Sequence, residues 1–415
     1  PFDEIDEKRK AFWRSYPKAK GSLRIVQKGN THILREMLRM CNKLKIKFWL
    51  HGGSLVGALR HKGPVPWDDD IDVAMMRDDF NKLRKYIKKR ELKYEIGEYY
   101  YYGIGCRAYR FKKKSEDDTL PFFVDIFLYD IYDCQKNPID DWYKLRSYHQ
   151  SISVQMEMIA KDYENAYEDP RLDDKPELKK KMDDLIDGYI KRVSVSKGEY
   201  LLWGLDNNYE DASRYAWHNG RIFHRDDIYP LQECVYEDMK LYMPANYEKY
   251  TVAEYGMRYL DMPDVIGQAV HFNQYFKEVD LPLAYKKLTG QEYVEEDSIK
   301  NITGNIYSRF IFPWRAVWPD TKVMIYGGGV VGKTFMAQLK EHPCCQVLAI
   351  IDQCPPRVDI KECPVISPQE LDRYQGHYDM VLIAIENSET AETIKKNLLE
   401  AGVDEDKIYW EDYRI

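Results

Sequence analysis

No run of apolar residues in this 415-residue chain approaches the ~20 that a membrane-spanning helix requires. No charged n-region followed by an apolar h-region opens it, so nothing reads as a secretory signal. Pro1 rather than Met stands first, which leaves a removed upstream segment open. Net positive charge is also missing: 62 Lys and Arg against 69 Asp and Glu leave −7. A nucleic-acid backbone therefore finds no basic field to enter. The eight cysteines include no C-x-x-C pair, which disfavours a disulfide frame or zinc site and suits the reduced thiols of a cytoplasmic protein. Internal repeats and low-complexity tracts are absent. Tyrosine, by contrast, is abundant at 34 residues; its amphipathic rings suit sugar-like ligands, but equally any half-buried surface. With 44% apolar and 32% charged residues, the composition is that of a globular protein of two or three domains.

Residues 1–30 are charged and carry Trp13 and Tyr16, an arm or helix against the body. Leu34, Leu38, Cys41 and Leu44 recur at helical spacing, predicting a helix over Thr31–Lys45 with Thr31 as N-cap. Phe48-Trp49-Leu50 reads as a short strand running into His51-Gly52-Gly53-Ser54, with a helix over Leu55–Leu59. A proline-broken loop then passes Trp67 into Asp68-Asp69-Asp70-Ile71-Asp72-Val73-Ala74-Met75, which alternates as a strand does from Asp70 on. Asp78–Arg90 predicts a basic helix, and Tyr99–Arg110 and Phe122–Tyr129 predict two strands. Residues 142–200 read as a charged helical hairpin framing a cleft. The expected division is a catalytic domain over 1–290, a linker over 291–320 and a terminal domain over 321–415. Phe310, Phe312, Trp314 and Trp318 would supply interdomain packing.

The acidic strand carries the strongest chemical signal. Positions i and i+2 of a strand share a face, so Asp70 and Asp72 converge while Ile71 and Val73 anchor the other side. Two such carboxylates are tolerable at neutral pH only if protonated or if a cation sits between them. Oxygen ligands suit Mg²⁺ or Mn²⁺, and Asp125 on the Val124-Asp125-Ile126 strand is the candidate third ligand. A solvated acidic turn is the plain alternative, but it leaves the apolar alternation behind Trp67 unexplained. Asp68 and Asp69 orient the loop, tune the metal from behind its ligands, or lie in solvent. Gly53 and Ser54, at a strand-to-helix junction, can present free N–H groups to a phosphate. Arg60, His61 and Lys62 would add cationic groups, with His61 as readily an ordinary loop residue. Arg107 and Arg110 are placed to face the site or to pair at the surface, and His218 is a second-choice contact.

The stretch from Trp49 to Val73 closely resembles the diagnostic block of the LicD family, which includes the fukutin-type proteins. Val124-Asp125-Ile126-Phe127, Tyr229-Pro230-Leu231, Met243-Pro244 and Tyr255-Gly256 extend the resemblance over roughly 30–270. It implies an α+β nucleotidyltransferase-like catalytic domain with helical insertions. The implied activity is transfer of a phospho-alcohol, such as phosphocholine from CDP-choline, onto a cell-surface glycan or its lipid-linked precursor. The location would be the cytoplasm, with peripheral contact at the membrane. By position, the resemblance makes Asp70, Asp72 and Asp125 metal ligands and gives the donor phosphate to Gly53 and Ser54. Asp125 is the expected base for the acceptor hydroxyl. A nucleotidyltransferase using a nucleoside triphosphate and a non-catalytic nucleotide- or glycan-binding protein are the alternatives.

Near the end, Gly327-x-Gly329-x-x-Gly332 follows a strand, opens a helix and precedes Asp352 at the close of the next strand. This predicts a C-terminal α/β Rossmann-like parallel-sheet domain. NAD or another nucleotide would use Gly327, Gly329, Gly332 and Asp352, although glycines are needed for the turn even without a ligand. A scaffold or homodimerisation module is the favoured reading.

Overall fold

The computed structural model describes residues 18–90, 92–115, 120–135, 137–206, 221–256, 259–260, 279–294, 310, 312–313, 316–317, 320–341, 345–355, 360, 363–411 and 413. Contacts divide the chain into two units. The first comprises residues 1–260 and 268–296, and the second 261–267 and 297–415.

The first unit opens with helix α1 (Gly21–Leu44), which starts ten residues before the expected N-cap. Thr31 lies inside it, its hydroxyl donating to the Gln27 carbonyl at 2.7 Å. One face buries Ile33, Leu34 and Met37 completely, each such side chain being worth about 1.5–3 kcal/mol. Gly29 is required where the helix crosses Phe122, because a Cβ there would meet the ring at 2.2 Å. Strand β1 (Trp49–Leu50) leads into α2 (Gly52–His61), and β2 (Asp72–Met76) into α3 (Arg77–Arg90). The expected single strand at Tyr99–Arg110 is instead a hairpin of β3 (Tyr94–Tyr101) and β4 (Cys106–Lys113), since Gly105 takes the left-handed conformation at φ 60°. Strand β5 (Phe123–Tyr132) follows.

These strands form a sheet in the order β1-β2-β5-β4-β3, extended beyond β5 by β6 (Tyr200–Trp203) and β7 (Ile222–His224). The β2–β5 pair is parallel, with Asp72 opposite Asp125, while β4 runs antiparallel to β5 with Arg110 opposite Asp125. Since side chains alternate along strands, Asp72, Asp125 and Arg110 share one face, and Ile126, Tyr109 and Arg107 take the other. Between β5 and β6 lie α4 (Pro138–Lys161) and α5 (Pro176–Val193), which pack through Met156, Met182 and Ile186 against Tyr100, Tyr132 and Leu202. The unit continues with α6 (Arg225–Ile228), the hairpin β8 (Gln232–Tyr236) and β9 (Met239–Met243), α7 (Tyr247–Tyr255) and α8 (Leu281–Thr289). Among the described residues, no helix is long and apolar enough to cross a membrane.

The second unit is a parallel sheet of β10 (Lys322–Tyr326), β11 (Gln346–Ile351), β12 (Val365–Ile366), β13 (Met380–Ile383) and β14 (Ile408–Tyr409), in the order β12-β11-β10-β13-β14. Helices α9 (Val330–Glu341) and α10 (Ser388–Glu400) connect its strands. Phe310 and Phe312, expected in a linker, belong to its core with Val323, Ile325 and Phe335. Gln338 fixes them, donating to the Phe310 carbonyl and accepting the Phe312 N–H, both at 2.9 Å. Trp13, Tyr16, Trp314 and Trp318 lie outside the described residues.

Candidate active site

Asp70 stands just ahead of β2, Asp72 on its first residue and Asp125 opposite on β5. One carboxylate oxygen from each lies within 4.8 Å of the others, and Asp68, Asp69 and Asp70 meet the same limit. The acidic loop is held from behind by α1. Gln27 donates to the carbonyls of Val65 (3.0 Å) and Asp68 (2.8 Å), and Asn30 donates to the Asp69 carbonyl (2.9 Å). The Asn30 side-chain oxygen also accepts the Phe123 N–H at 3.1 Å, tying the loop to the start of β5. Strand β1 and the α2 N-terminus close the other side, where the His51 N–H donates to the Asp72 carbonyl at 3.1 Å.

Crowding leaves a clear electrostatic mark. Burial, followed by the charges of Asp70, Asp125, Asp68 and Glu254, holds the Asp72 carboxyl well above the usual range. Burial and then Asp70 and Asp69 do the same to Asp68. The internal cation at the cluster's edge is Arg110, whose Nε donates to Asp125 Oδ1 at 3.0 Å and whose guanidinium lies over the rings of Phe123 (4.1 Å) and Tyr99 (4.8 Å).

The donor set and its surroundings fit a small divalent ion. Hard carboxylate oxygens from two strands converge, as Mg²⁺ or Mn²⁺ requires. The glycines leave the approach open. A Cβ on Gly52 would stand 2.7 Å from Asp72 Oδ2, and one on Gly53 would stand 2.6 Å from Asp68 Oδ2. Gly52 also has φ +53°, which side-chain-bearing residues rarely adopt.

Other expected contacts take different positions. Ser54 is buried and its Oγ accepts the Asp72 N–H at 2.9 Å, so it sets the position of the aspartate. Arg60 is buried and donates to the Tyr259 carbonyl. His61 packs edge-on to Trp67 at 6.3 Å, and Lys62 caps α2 in the left-handed conformation. Arg107 is directed away from the cluster by the strand alternation. It pairs with Asp183 (2.8 Å) and Asp187 (2.6 Å) on α5. His218 lies outside the described residues.

Residues that sequence reading missed complete the wall. Glu254 on α7 accepts the Gly52 N–H and places Oε1 3.9 Å from His51 Nε2. Burial pushes its carboxyl up to about 7, against the opposing charge of Arg221. His51 Nδ1 lies 2.6 Å from the Tyr250 hydroxyl, which is 2.7 Å from that of Tyr129 and 3.4 Å from Trp49 Nε1. Burial, then Arg221, drives His51 down to about 3, so its ring is neutral. Only the Tyr255-Gly256 pair hinted at α7; the distance of some 180 residues from the acidic strand hid the rest.

In the second unit, Gly327 has φ +113°, and a Cβ on Gly332 would stand 1.9 Å from the Gly327 carbonyl oxygen. Both glycines are thus required by the turn itself. Around Gly329 a Cβ would find open space. The Asp352 carboxylate accepts the Gly328 N–H at 2.9 Å and the Cys354 N–H at 2.8 Å.

The first unit is therefore a mixed α/β domain presenting a carboxylate cluster beside a glycine-lined helix start. Residues 45–164 match the family model described as LicD/FKTN/FKRP, nucleotidyltransferase domain, so this part of the first unit is similar to the LicD family. Residues 319–409 match a second model, C2185-like, N-terminal. Among curated relatives, lipopolysaccharide cholinephosphotransferase LicD of Haemophilus influenzae is 32% identical over 151 residues, or 33% of this chain and 54% of that protein. Uncharacterized protein RT0683 of Rickettsia typhi is 30% identical over 120 residues, 28% of this chain and 37% of that one. Ribitol 5-phosphate transferase FKRP of Homo sapiens is 47% identical over 34 residues, 8% of this chain and 7% of that protein. The chain thus spans about half or less of the length of these relatives.

Proposed function

We propose that the first unit transfers a phospho-alcohol, of the phosphocholine or ribitol-phosphate kind, from a CDP-activated donor to a hydroxyl of a cell-surface glycan or its lipid-linked precursor. The observation that carries this reading is the approach of Asp70, Asp72 and Asp125 to within 4.8 Å. The names of the cholinephosphotransferase and ribitol 5-phosphate transferase relatives support the group transferred. Asp70, Asp72 and Asp125 would hold Mg²⁺ or Mn²⁺, which when bound offsets negative charge on donor phosphates. Ser54 and the β1–β2 contact fix Asp72, and Arg110 fixes Asp125, so the ligands need little rearrangement. Gly52 and Gly53 keep side chains out of the space beside Asp72 and Asp68. We place the protein in the cytoplasm, in reach of the membrane surface.

The nucleotidyltransferase-like fold of this unit and the Rossmann-like fold of the second belong to the same proposal. For the second unit we favour a scaffold or homodimer role over NAD binding, because Asp352 already takes the Gly328 N–H. A thermal-shift screen of CDP-choline, CDP-ribitol, CDP-glycerol, CTP and NAD, each with and without Mg²⁺, tests both units. Stabilisation by a CDP-alcohol only with Mg²⁺, together with CMP release in the presence of glycan, is expected. Stabilisation by CTP with pyrophosphate release would replace this reading with nucleotidyl transfer, and a response to NAD would overturn the scaffold role.

A further inference from the structure

The geometry points to Glu254 as the general base that takes the proton from the acceptor hydroxyl. This assignment rests on the phospho-alcohol transfer proposed above. It replaces the expectation that Asp125 serves, because Asp125 is bonded to Arg110 and faces the other ligands across the β2–β5 pair. Asp68 is no better placed: it shares a hydrogen bond with Asp70 inside the cluster. Glu254 comes from a different element, α7, and stands outside the ligand set. His51 lies 3.9 Å from it, and the charge of Arg221 also acts on it.

Its surroundings hold it in place while leaving a path outward. The side chain keeps 26% of its surface exposed, whereas His51 behind it keeps 2%. The Gly52 N–H that binds Glu254 belongs to the residue whose Cα faces Asp72 Oδ2, so one glycine separates this carboxylate from the cluster. Trp49 and Tyr129 can both donate to the Tyr250 oxygen while Tyr250 donates to His51 Nδ1. That assignment satisfies every member and leaves the Nε2–H of His51 facing Glu254. His51 is thus a positioning residue.

In the step, the acceptor O–H bond breaks and its proton passes to the Glu254 carboxylate. The oxygen forms a bond to the phosphorus that bears the alcohol. The bond from that phosphorus to the CMP oxygen breaks, and its electron pair leaves with CMP. Glu254 then loses the proton to solvent through its exposed edge.

The test compares the wild-type chain with Glu254→Gln and Glu254→Asp. CMP release from CDP-choline and CDP-ribitol is followed with Mg²⁺, using N-acetylglucosamine and the more acidic 2,2,2-trifluoroethanol as acceptor probes. Calorimetry measures Mg²⁺ and CDP-choline binding separately. Expected for Glu254→Gln are a fall in kcat of about 10²–10⁴-fold with N-acetylglucosamine, a smaller fall with trifluoroethanol, and unchanged binding; Glu254→Asp recovers part of the rate. Turnover of Glu254→Gln within twofold of wild type overturns the assignment and leaves the transferase reading standing. An equal fall with both acceptors, or lost Mg²⁺ binding, overturns it in favour of a structural role. Absence of CMP release by the wild-type chain from either donor overturns the transferase reading and this assignment with it.

Discussion

Both faces of the seven-stranded sheet carry crowded carboxylates, and the chain compensates them differently. On the Ile126 face, Arg77 pairs with Asp130 (2.7 Å) and Asp206 (2.8 Å), while the Tyr109 hydroxyl donates to Asp206 at 2.7 Å. Burial raises the Asp206 carboxyl, yet Arg77, Arg107 and that hydroxyl outweigh it and hold it below the usual range. On the Asp125 face, Arg110 reaches only the edge of the cluster, and Asp68 and Asp72 are pushed upward. Carboxylates that the fold neutralises itself are structural. Those it brings together and leaves undercompensated are where the proposed cation would bind.

The largest expected effect lies on the compensated face. Arg77→Met leaves Asp130 and Asp206 buried without their main partner and should cost about 3–5 kcal/mol of stability. Urea unfolding measures it; a loss under 1 kcal/mol would erase the distinction between the faces. On the other face, Asp72→Asn should lower turnover roughly 10³-fold, as losing a group that stabilises transferring charge does. Its melting temperature in EDTA should hold or rise, because a repelling charge is gone. Mg²⁺ should stabilise the wild-type chain by about 2.7 kcal/mol at a hundredfold excess over Kd and the variant far less. Equal Mg²⁺ shifts in both would remove Asp72 from the site.

Legibility in the sequence followed distance along the chain. Asp70 and Asp72 were readable because two-residue alternation is local, and Asp125 because its flanks repeat the pattern. Parallel β2–β5 pairing, which sets Asp125 opposite Asp72, is a property of the assembled sheet. Arg107 and Arg110 could not be separated until the β4–β5 register put Arg110 opposite Asp125 and turned Arg107 toward Asp183. Thr31 had good cap chemistry, yet apolar contacts continued α1 back to Gly21. Gln27, Asn30 and Glu254 gave no signal at all, since what defines them is the distant backbone they bind.

One of those unseen residues gives a smaller effect. Asn30 joins the Asp69 carbonyl to the Phe123 N–H and is fully buried. Asn30→Ala leaves two backbone groups without partners and should cost about 1–3 kcal/mol. Because the same bonds set the acidic loop against β5, calorimetry should also show weaker Mg²⁺ binding. A stability loss with unaltered Mg²⁺ affinity would mean that the loop keeps its place by other contacts.

The smallest effects are pH slopes, and they should have opposite signs on the two faces. The folded-state carboxyl of Asp72 is raised, so the folded chain holds that proton more tightly than the unfolded chain does. Its contribution is most favourable in acid and is lost as pH rises from the unfolded carboxylate range through the folded value. Asp206 is lowered, so its contribution is present above the unfolded carboxylate range and is lost as pH falls through the folded value. Urea unfolding in EDTA across pH 4 to 8 should therefore show Asp72→Asn gaining on the wild-type chain as pH rises, while the penalty of Asp206→Asn shrinks as pH falls. Adding Mg²⁺ should reverse the first trend, because a bound ion favours the ionised Asp72, and should leave the second unchanged. Slopes of the same sign in EDTA would mean that Asp72 is compensated within the fold after all.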